Sequence, residues 1–190
     1  LDYSNIELRV LASLSGCQSL IDVFNEDKDI HSETARKVFN IVDREVTPLE
    51  RRKAKAVNFG IVYGISDWGL SESIQIPVNE SKQIINSFYD TYPEIKQYLA
   101  NQILEVTKNS YIKTITNRRR YLREIHDNSY QVREFAKRAA MNAPIQGSAA
   151  DLIKIAMIKV DQFLKENHCK SKLVLQIHDE LIFKIYKGEE

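Results

Sequence analysis

Three stretches of this sequence place charged or ion-binding side chains where local structure would hold them fixed. The first is Asp2-Tyr3-Ser4-Asn5-Ile6-Glu7-Leu8-Arg9, a carboxylate just ahead of a helical pattern. An aspartate there also serves as an N-terminal cap or a surface acid. The second comprises Arg51, Lys55, Phe59 and Tyr63, four residues apart, so that each step advances about 40° around a helix and all four share one face. Cations beside aromatics on one stripe suit a nucleotide, with phosphates at the cations and a base or sugar against the rings. Core aromatics flanked by solvated cations give the same pattern. The third is His178-Asp179-Glu180, between the apolar runs Leu173 to Ile177 and Leu181 to Ile185. Adjacent acids in a turn are often only solvated. A fixed carboxylate at a strand end is nevertheless what a divalent metal requires, and two-metal phosphoryl transfer draws such acids from different segments to hold ions about 3.5–4 Å apart. Asp2 and Asp179 are candidates for that pair.

The elements that must position these groups are legible in part. Ile6 to Leu14 predicts a helix stopped by Gly16, and Ile30 to Phe39 a helix behind an Asp29 cap. Thr47-Pro48-Leu49-Glu50 is the sharpest start signal, with a Thr N-cap, Pro at the first helical position and Glu closing a capping box. That helix should run to about Gly60. Asn79 to Tyr92 and Pro93 to Lys108 predict two more helices, Tyr111 to Thr116 a short strand, and a basic connector follows. Gln131 to Met141 is helical in pattern, Pro144 should interrupt it, and Ser148 to Asp151 should restart a helix to about Glu166. The two apolar runs around His178 read as a hairpin with acids at its tip.

A hydrophobic fraction of 43% over 190 residues supports a buried core in one or two small domains. No apolar run reaches the roughly 20 residues of a membrane span and no signal peptide is evident at the first residues, which places the expectation in the cytoplasm. Cys17 and Cys169 lie far apart without partners at zinc-site spacing, so two free thiols are expected. Net charge is only +1, but its distribution is uneven: residues 47–64 hold four basic side chains against one acid, and residues 108–138 nine against three. Segregated positive charge suits a phosphate-binding face.

The wording of these segments is more specific than their chemistry. DYSNIELR at residues 2–9 resembles motif A of the family A DNA polymerases, RRKAKAVNFGIVYG at 51–64 resembles motif B, and QIHDE at 176–180 resembles motif C. RAAMNAPIQGSAAD at 138–151 is similar to the stretch preceding motif C in the bacterial members, and the strings occur in the family's order over nearly the whole chain. The resemblance implies an α+β fold in which helix-rich fingers are inserted into an antiparallel-sheet palm. It divides the chain into palm (1–30), fingers (31–131) and palm again (132–190), with thumb and upstream palm absent from this chain. The implied activity is template-directed transfer of a deoxynucleoside triphosphate onto a primer 3′-hydroxyl, by a fragment of a larger, monomeric polymerase whose partners are primer-template DNA and nucleotides.

By the same resemblance, two Mg²⁺ ions are held by Asp2 and Asp179, the Tyr3 carbonyl completes one coordination shell, and Glu180 is a supporting acid. Arg51 and Lys55 hold the triphosphate, Lys55 arriving as the fingers close, and His31 reaches it from the preceding helix. Phe59 faces the incoming sugar and base, Tyr63 the template side, and Glu7 the ribose 2′ position. Asn5 stands at a nucleotide-site position where the family usually has Gln. Arg138, Asn142, Gln146 and His178 match residues that touch primer or template. Asn117 occupies a position, before Arg118-Arg119-Arg120, where Gly is usual; Asn visits positive φ more readily than most residues. A single-subunit RNA polymerase is the nearest alternative, opposed by Glu7, which would exclude a 2′-hydroxyl. A non-catalytic nucleic-acid-binding relic is the other, opposed by retention of both Asp2 and Asp179.

Overall fold

The computed structural model describes residues 3–189, so Asp2 lies outside the described residues. Eight α-helices and four short strands are present among them. Helix α1 (Ile6–Ser15) ends as expected at Gly16, whose φ of 67° lies in the left-handed region where a Cβ would be strained. Helix α2 (Gln18–Asn25) follows, then α3 (Ile30–Val38), capped by the Asp29 carboxylate on the Ser32 N–H. Helix α4 (Pro48–Val62) begins with the complete capping box of Thr47 and Glu50 and runs two residues beyond Gly60. Two helix hairpins come next, α5 (Asp67–Ile74) with α6 (Val78–Thr91), and α6 with α7 (Pro93–Asn109).

Strands β1 (Tyr111–Lys113) and β2 (Arg119–Tyr121) pair antiparallel, Ile112 opposite Arg120. The strand expected through Thr116 stops at Lys113, because residues 114–118 fold into a tight turn. The Thr114 N–H donates to the Arg118 carbonyl, and Asn117 takes a φ of 64°. The basic connector is thus the second half of a hairpin. A short 3-10 helix (Arg123–His126) leads into α8 (Tyr130–Glu166), 37 residues long.

The break expected at Pro144 does not occur; the proline lies inside the continuous helix α8. Its ring is fully buried, and α8 packs on α1, α4, α7 and β1. Proline in a helix interior costs about 3 kcal/mol. Burying a single large apolar side chain returns about 1.5–3 kcal/mol, so packing on several elements outweighs one lost backbone bond. The chain then closes with the hairpin β3 (Lys172–Ile177) and β4 (Glu180–Lys184), with Ile177 opposite Glu180 and an irregularity at Val174.

Two hydrophobic cores share α8. The larger joins α1, α2, α3, α4, α6 and α7 through Leu11, Leu20, Val38, Val57, Phe88 and Leu99, with Ile145, Ala149 and Ile153 from α8. The smaller gathers Val106, Ile112, Leu122 and Ile125 against Ala136, Ala140 and Ala143. Both cysteines are free thiols. No described helix is long and apolar enough to cross a membrane.

Candidate active site

A cleft of about 420 Å³ opens where α1, α4, α8 and the β3–β4 turn meet. Asn5 and Glu7 line it from the start of α1, Phe59 and Tyr63 from the end of α4, where Asn5 and Tyr63 are the capping residues, Gln146 from α8, and His178 and Asp179 from the turn. Residues far apart in sequence thus converge on one space. A larger groove of about 590 Å³ lies between α1 and the C-terminal half of α8, but its walls are mostly apolar side chains such as Val10, Leu14, Leu152 and Ile155. The polar groups that could act on a ligand converge in the smaller cleft.

The cleft is built by specific local devices. The Tyr3 N–H donates to the Asp179 carbonyl at 3.2 Å, which ties the start of the described chain to the hairpin turn. That turn has only two residues, His178 and Asp179, with His178 at a φ of 51°. Gln176 Nε2 braces it by donating to the His178 carbonyl at 2.8 Å. Glu180 is already the first residue of β4 rather than part of the tip. Gly64, at a φ of 65°, ends α4 against α8, where an added Cβ would lie 2.5 Å from Met141 Cε. Glycine is favoured there for its backbone, since Met141 Cε is the end of a flexible side chain that can move aside.

Glu7 and Tyr63 are joined across the cleft, the phenol donating to Oε2 at 3.1 Å. Burial pushes the Glu7 carboxyl above its usual range; the Tyr63 hydrogen bond opposes this, and the charge of Asp179 adds to it. Two carboxylates therefore share the cleft, Asp179 close enough to act on Glu7. Such an excess of oxygen donors fits a hard divalent cation. Among the described residues no group of three His, Cys, Asp or Glu side chains is arranged to hold one, Asp2 lying outside them.

The cationic end of α4 lies one to three turns nearer the helix start. Arg51 is engaged there: its Nε and Nη2 both donate to the Asp29 carboxylate at 2.8 Å. Arg51 holds that carboxyl well below the usual carboxylate range. Lys55 is exposed and forms no ion pair among the described residues. His31 is buried, its ring 5.8 Å from that of Phe59. Arg51, Lys55 and His31 do not line the cleft itself.

On α8, Arg138, Asn142 and Gln146 follow one stripe but meet different surroundings. Arg138 is exposed beside Tyr63 and Gly64 in an adjoining groove, and Gln146 faces the cleft. Asn142 is buried, its amide donating to the Val62 carbonyl at 3.4 Å, so it fastens the end of α4 to α8.

Two sets of residues around the site were not singled out from sequence. Thr34 and Asn58 form a buried polar pair behind His31. Asp151, 5% exposed, accepts hydrogen bonds from Thr114 and Thr116 and pairs with Arg118. Polar residues on the apolar side of a helix were the available signal for both: Asn58 between Val57 and Ile61, Asp151 between Ala149 and Ile153.

The model of DNA polymerase family A matches residues 1–190. DNA polymerase I of Caldicellulosiruptor bescii is 51% identical over 181 residues, covering 95% of this chain and 21% of that protein. DNA polymerase I of Bacillus subtilis is 49% identical over 188 residues, covering 99% and 21%. The chain therefore spans about a fifth of the length of these relatives. Among solved structures, the POL domain of Pol1 from M. smegmatis in complex with DNA primer-template and dNTP superposes with a TM-score of 0.94 at 45% identity, over 99% of this chain and 33% of that one. With the match running from the first residue to the last, this chain belongs to DNA polymerase family A.

Proposed function

We propose that this chain carries the nucleotide-insertion centre of a larger DNA-directed DNA polymerase, which transfers deoxynucleotides onto a primer 3′-hydroxyl under template direction. The observation that carries this reading is the single cleft that gathers Glu7, Phe59, Tyr63, Gln146, His178 and Asp179 from four separated segments. The relative solved with primer-template and dNTP supports the choice of ligands. In this reading residues 1–30 and 132–190 belong to the palm and 31–131 to the fingers.

Asp179, Asp2 and the Tyr3 carbonyl are the oxygen donors for two Mg²⁺ ions, with Glu180 as a nearby acid. The hydrogen bond from Tyr3, covalently joined to Asp2, to Asp179 supports that grouping. When bound, such ions stabilise the charge of a transferring phosphoryl group. Phe59 lies along the sugar, and Tyr63, held by Glu7, lies toward the template side. Arg51 and Lys55 meet the triphosphate, with His31 beside them. Arg51 must first leave Asp29 or share it. An ion pair with side chains 47% and 40% exposed is worth only about 0–1 kcal/mol, a small barrier beside a polyphosphate. Arg138, Gln146 and His178 contact primer or template, and the buried Asn142 supports that surface by fastening the end of α4.

The test is primer extension by the full-length parent with deoxy- and ribonucleotides side by side, repeated with Asp179→Ala. Extension with deoxynucleotides alone, abolished in the variant while primer-template affinity is retained, is the expected result. A variant that keeps more than about a tenth of the rate, a loss below ~1.4 kcal/mol, removes Asp179 from the metal site. Preference for ribonucleotides would instead indicate an RNA polymerase, and binding without extension a relic.

A further inference from the structure

The α3–α4 interface contains a polar cluster with no packing reason to be there. Thr34 is 0% and Asn58 3% exposed, in the middle of an otherwise apolar contact. Burying an amide in such a place costs about 1–3 kcal/mol unless its hydrogen bonds are met. Here they are met. Asn58 Nδ2 donates to His31 Nδ1 at 3.1 Å, and the Asn58 amide and Thr34 hydroxyl are bonded at 3.1 and 3.2 Å. An amide nitrogen has only protons to give. The imidazole nitrogen facing it must accept, so Nδ1 carries the lone pair and the ring proton resides on Nε2.

We infer that Asn58, bonded to Thr34 and presenting its amide N–H to the ring, is a positioning residue that locks His31 as the neutral Nε2–H tautomer, so that His31 offers the nucleotide's phosphates a hydrogen-bond donor and not a third cation. The inference rests on the proposed placement of the triphosphate along α4. The surroundings of the ring agree with it. The charges that act on His31 are Asp29 at the start of its own helix and Arg51 and Lys55 on α4; among the described residues α2 and α6 contribute none. Burial is the largest influence, and with the two cations it outweighs Asp29, pushing the imidazole below its ordinary pKa. A neutral donor adds a bond to the phosphates without adding to the repulsion between Arg51 and Lys55. With its pKa lowered, the ring also charges further below neutrality than an ordinary histidine.

The experiment is nucleotide KM, measured on the full-length parent across about pH 5.5 to 8.5, where a histidine ordinarily titrates. Wild type and Asn58→Asp are compared. An aspartate at 58 accepts from Nδ1–H, so it moves the proton to Nδ1 and favours imidazolium. Nucleotide binding should then become pH-dependent, with KM rising roughly tenfold from the acid to the alkaline end as the ring turns a lone pair toward the phosphates. The wild-type profile should lack this step, and kcat at saturating nucleotide should change little in either. Parallel KM profiles overturn the inference. So that the test does not depend on folding of the variant, the tautomer is also read directly, from the solid-state ¹³C and ¹⁵N spectrum of wild-type enzyme labelled at histidine, the His31 signal being assigned by its loss in His31→Ala. A proton on Nε2 is expected, and one on Nδ1 overturns the assignment. His31→Ala with wild-type KM means that the ring does not face phosphate, a failure of the proposed triphosphate placement that the spectrum distinguishes from a failure of the tautomer lock.

Discussion

Replacing Gly147 with alanine sets two effects of known size against each other. Gly147 lies inside α8, where glycine costs about 1 kcal/mol relative to alanine, so helix propensity alone forecasts a more stable protein. A Cβ at this position would lie 2.7 Å from Thr114 Cγ2. Carbon atoms rest at about 3.5–4.0 Å, so the threonine would have to retreat by roughly 1 Å. It is not free to do so. Its hydroxyl donates to Asp151 Oδ2 at 2.7 Å, and the neighbouring Ile115 N–H donates to Ser148 Oγ at 2.9 Å. Overpacking costs about 1–3 kcal/mol, and weakening a hydrogen bond to a carboxylate up to about 1.5–3 kcal/mol more. Set against the gain of about 1 kcal/mol, Gly147→Ala should destabilise, by up to about 5 kcal/mol. Thr114→Ser removes the offending methyl and keeps the hydroxyl. In that background the same Gly147→Ala change should stabilise, by up to about 1 kcal/mol. Urea unfolding midpoints of the full-length parent and the three variants, at constant m-value, provide the comparison. A higher midpoint for Gly147→Ala with Thr114 intact would refute the argument that the turn is clamped to α8.

Three further outcomes are expected. Glu7→Ala should raise ribonucleotide use relative to deoxynucleotide, read as a ratio of two kcat/KM values; a ratio that does not move removes Glu7 from the 2′ position. Phe59→Tyr should accept dideoxynucleotides far better, by roughly 10- to 150-fold, because a phenol can donate to phosphate oxygens that the missing 3′-hydroxyl no longer serves. Competitive extension measures this, and equal slowing of both substrates would make Phe59 a packing residue only. Burial acts to raise the Asp151 carboxyl, but the hydroxyls of Thr114 and Thr116 and the charge of Arg118 together hold it below its usual value. Its contribution to stability is therefore present above the unfolded carboxylate pKa near 3.9 and is lost as pH falls through the lower folded value. The gap between wild type and Asp151→Asn in urea midpoint should be full at pH 7 and shrink below about pH 4; a constant gap contradicts the role given to the carboxylate.

Elements with a punctuated start were the most legible in the sequence. Thr47-Pro48-Leu49-Glu50 marks the start of α4 because Thr47 and Glu50 pair backbone N–H groups that the first turn leaves free and Pro48 has none to leave. The spacing of Arg51, Lys55, Phe59 and Tyr63 likewise placed them on one face without further information. Short helices were not legible: α2 and α5 have eight residues each, too few turns for a periodic pattern to stand out. β2 was missed because Arg119, Arg120 and Tyr121 are all exposed, so no alternation of burial betrays the strand. At the cleft, the convergence of α1, α4, α8 and the hairpin turn was carried by the family resemblance alone. Pairings such as Tyr63 with Glu7, 56 residues apart, depend on how helices pack, and a linear pattern does not encode that. Asn58 and Asp151 escaped notice because a polar residue on a buried face is read as an exception until its partner is seen.

Pro144 was expected to divide α8 and does not bend it into two helices, yet its position is not neutral. Having no N–H, it leaves a rung missing in the hydrogen-bond ladder, at the carbonyl of Ala140. The residues just before it, Ala136, Ala140 and Ala143, belong to the smaller core, and those just after it, Ile145, Ala149 and Ile153, to the larger. The helix is one rod about 55 Å long in shape, and its missing rung falls where it passes from one core to the other. On the Arg138 side of that gap Met141 packs against the larger core and Asn142 bonds to the Val62 carbonyl, so side chains bridge the place where the backbone ladder is open.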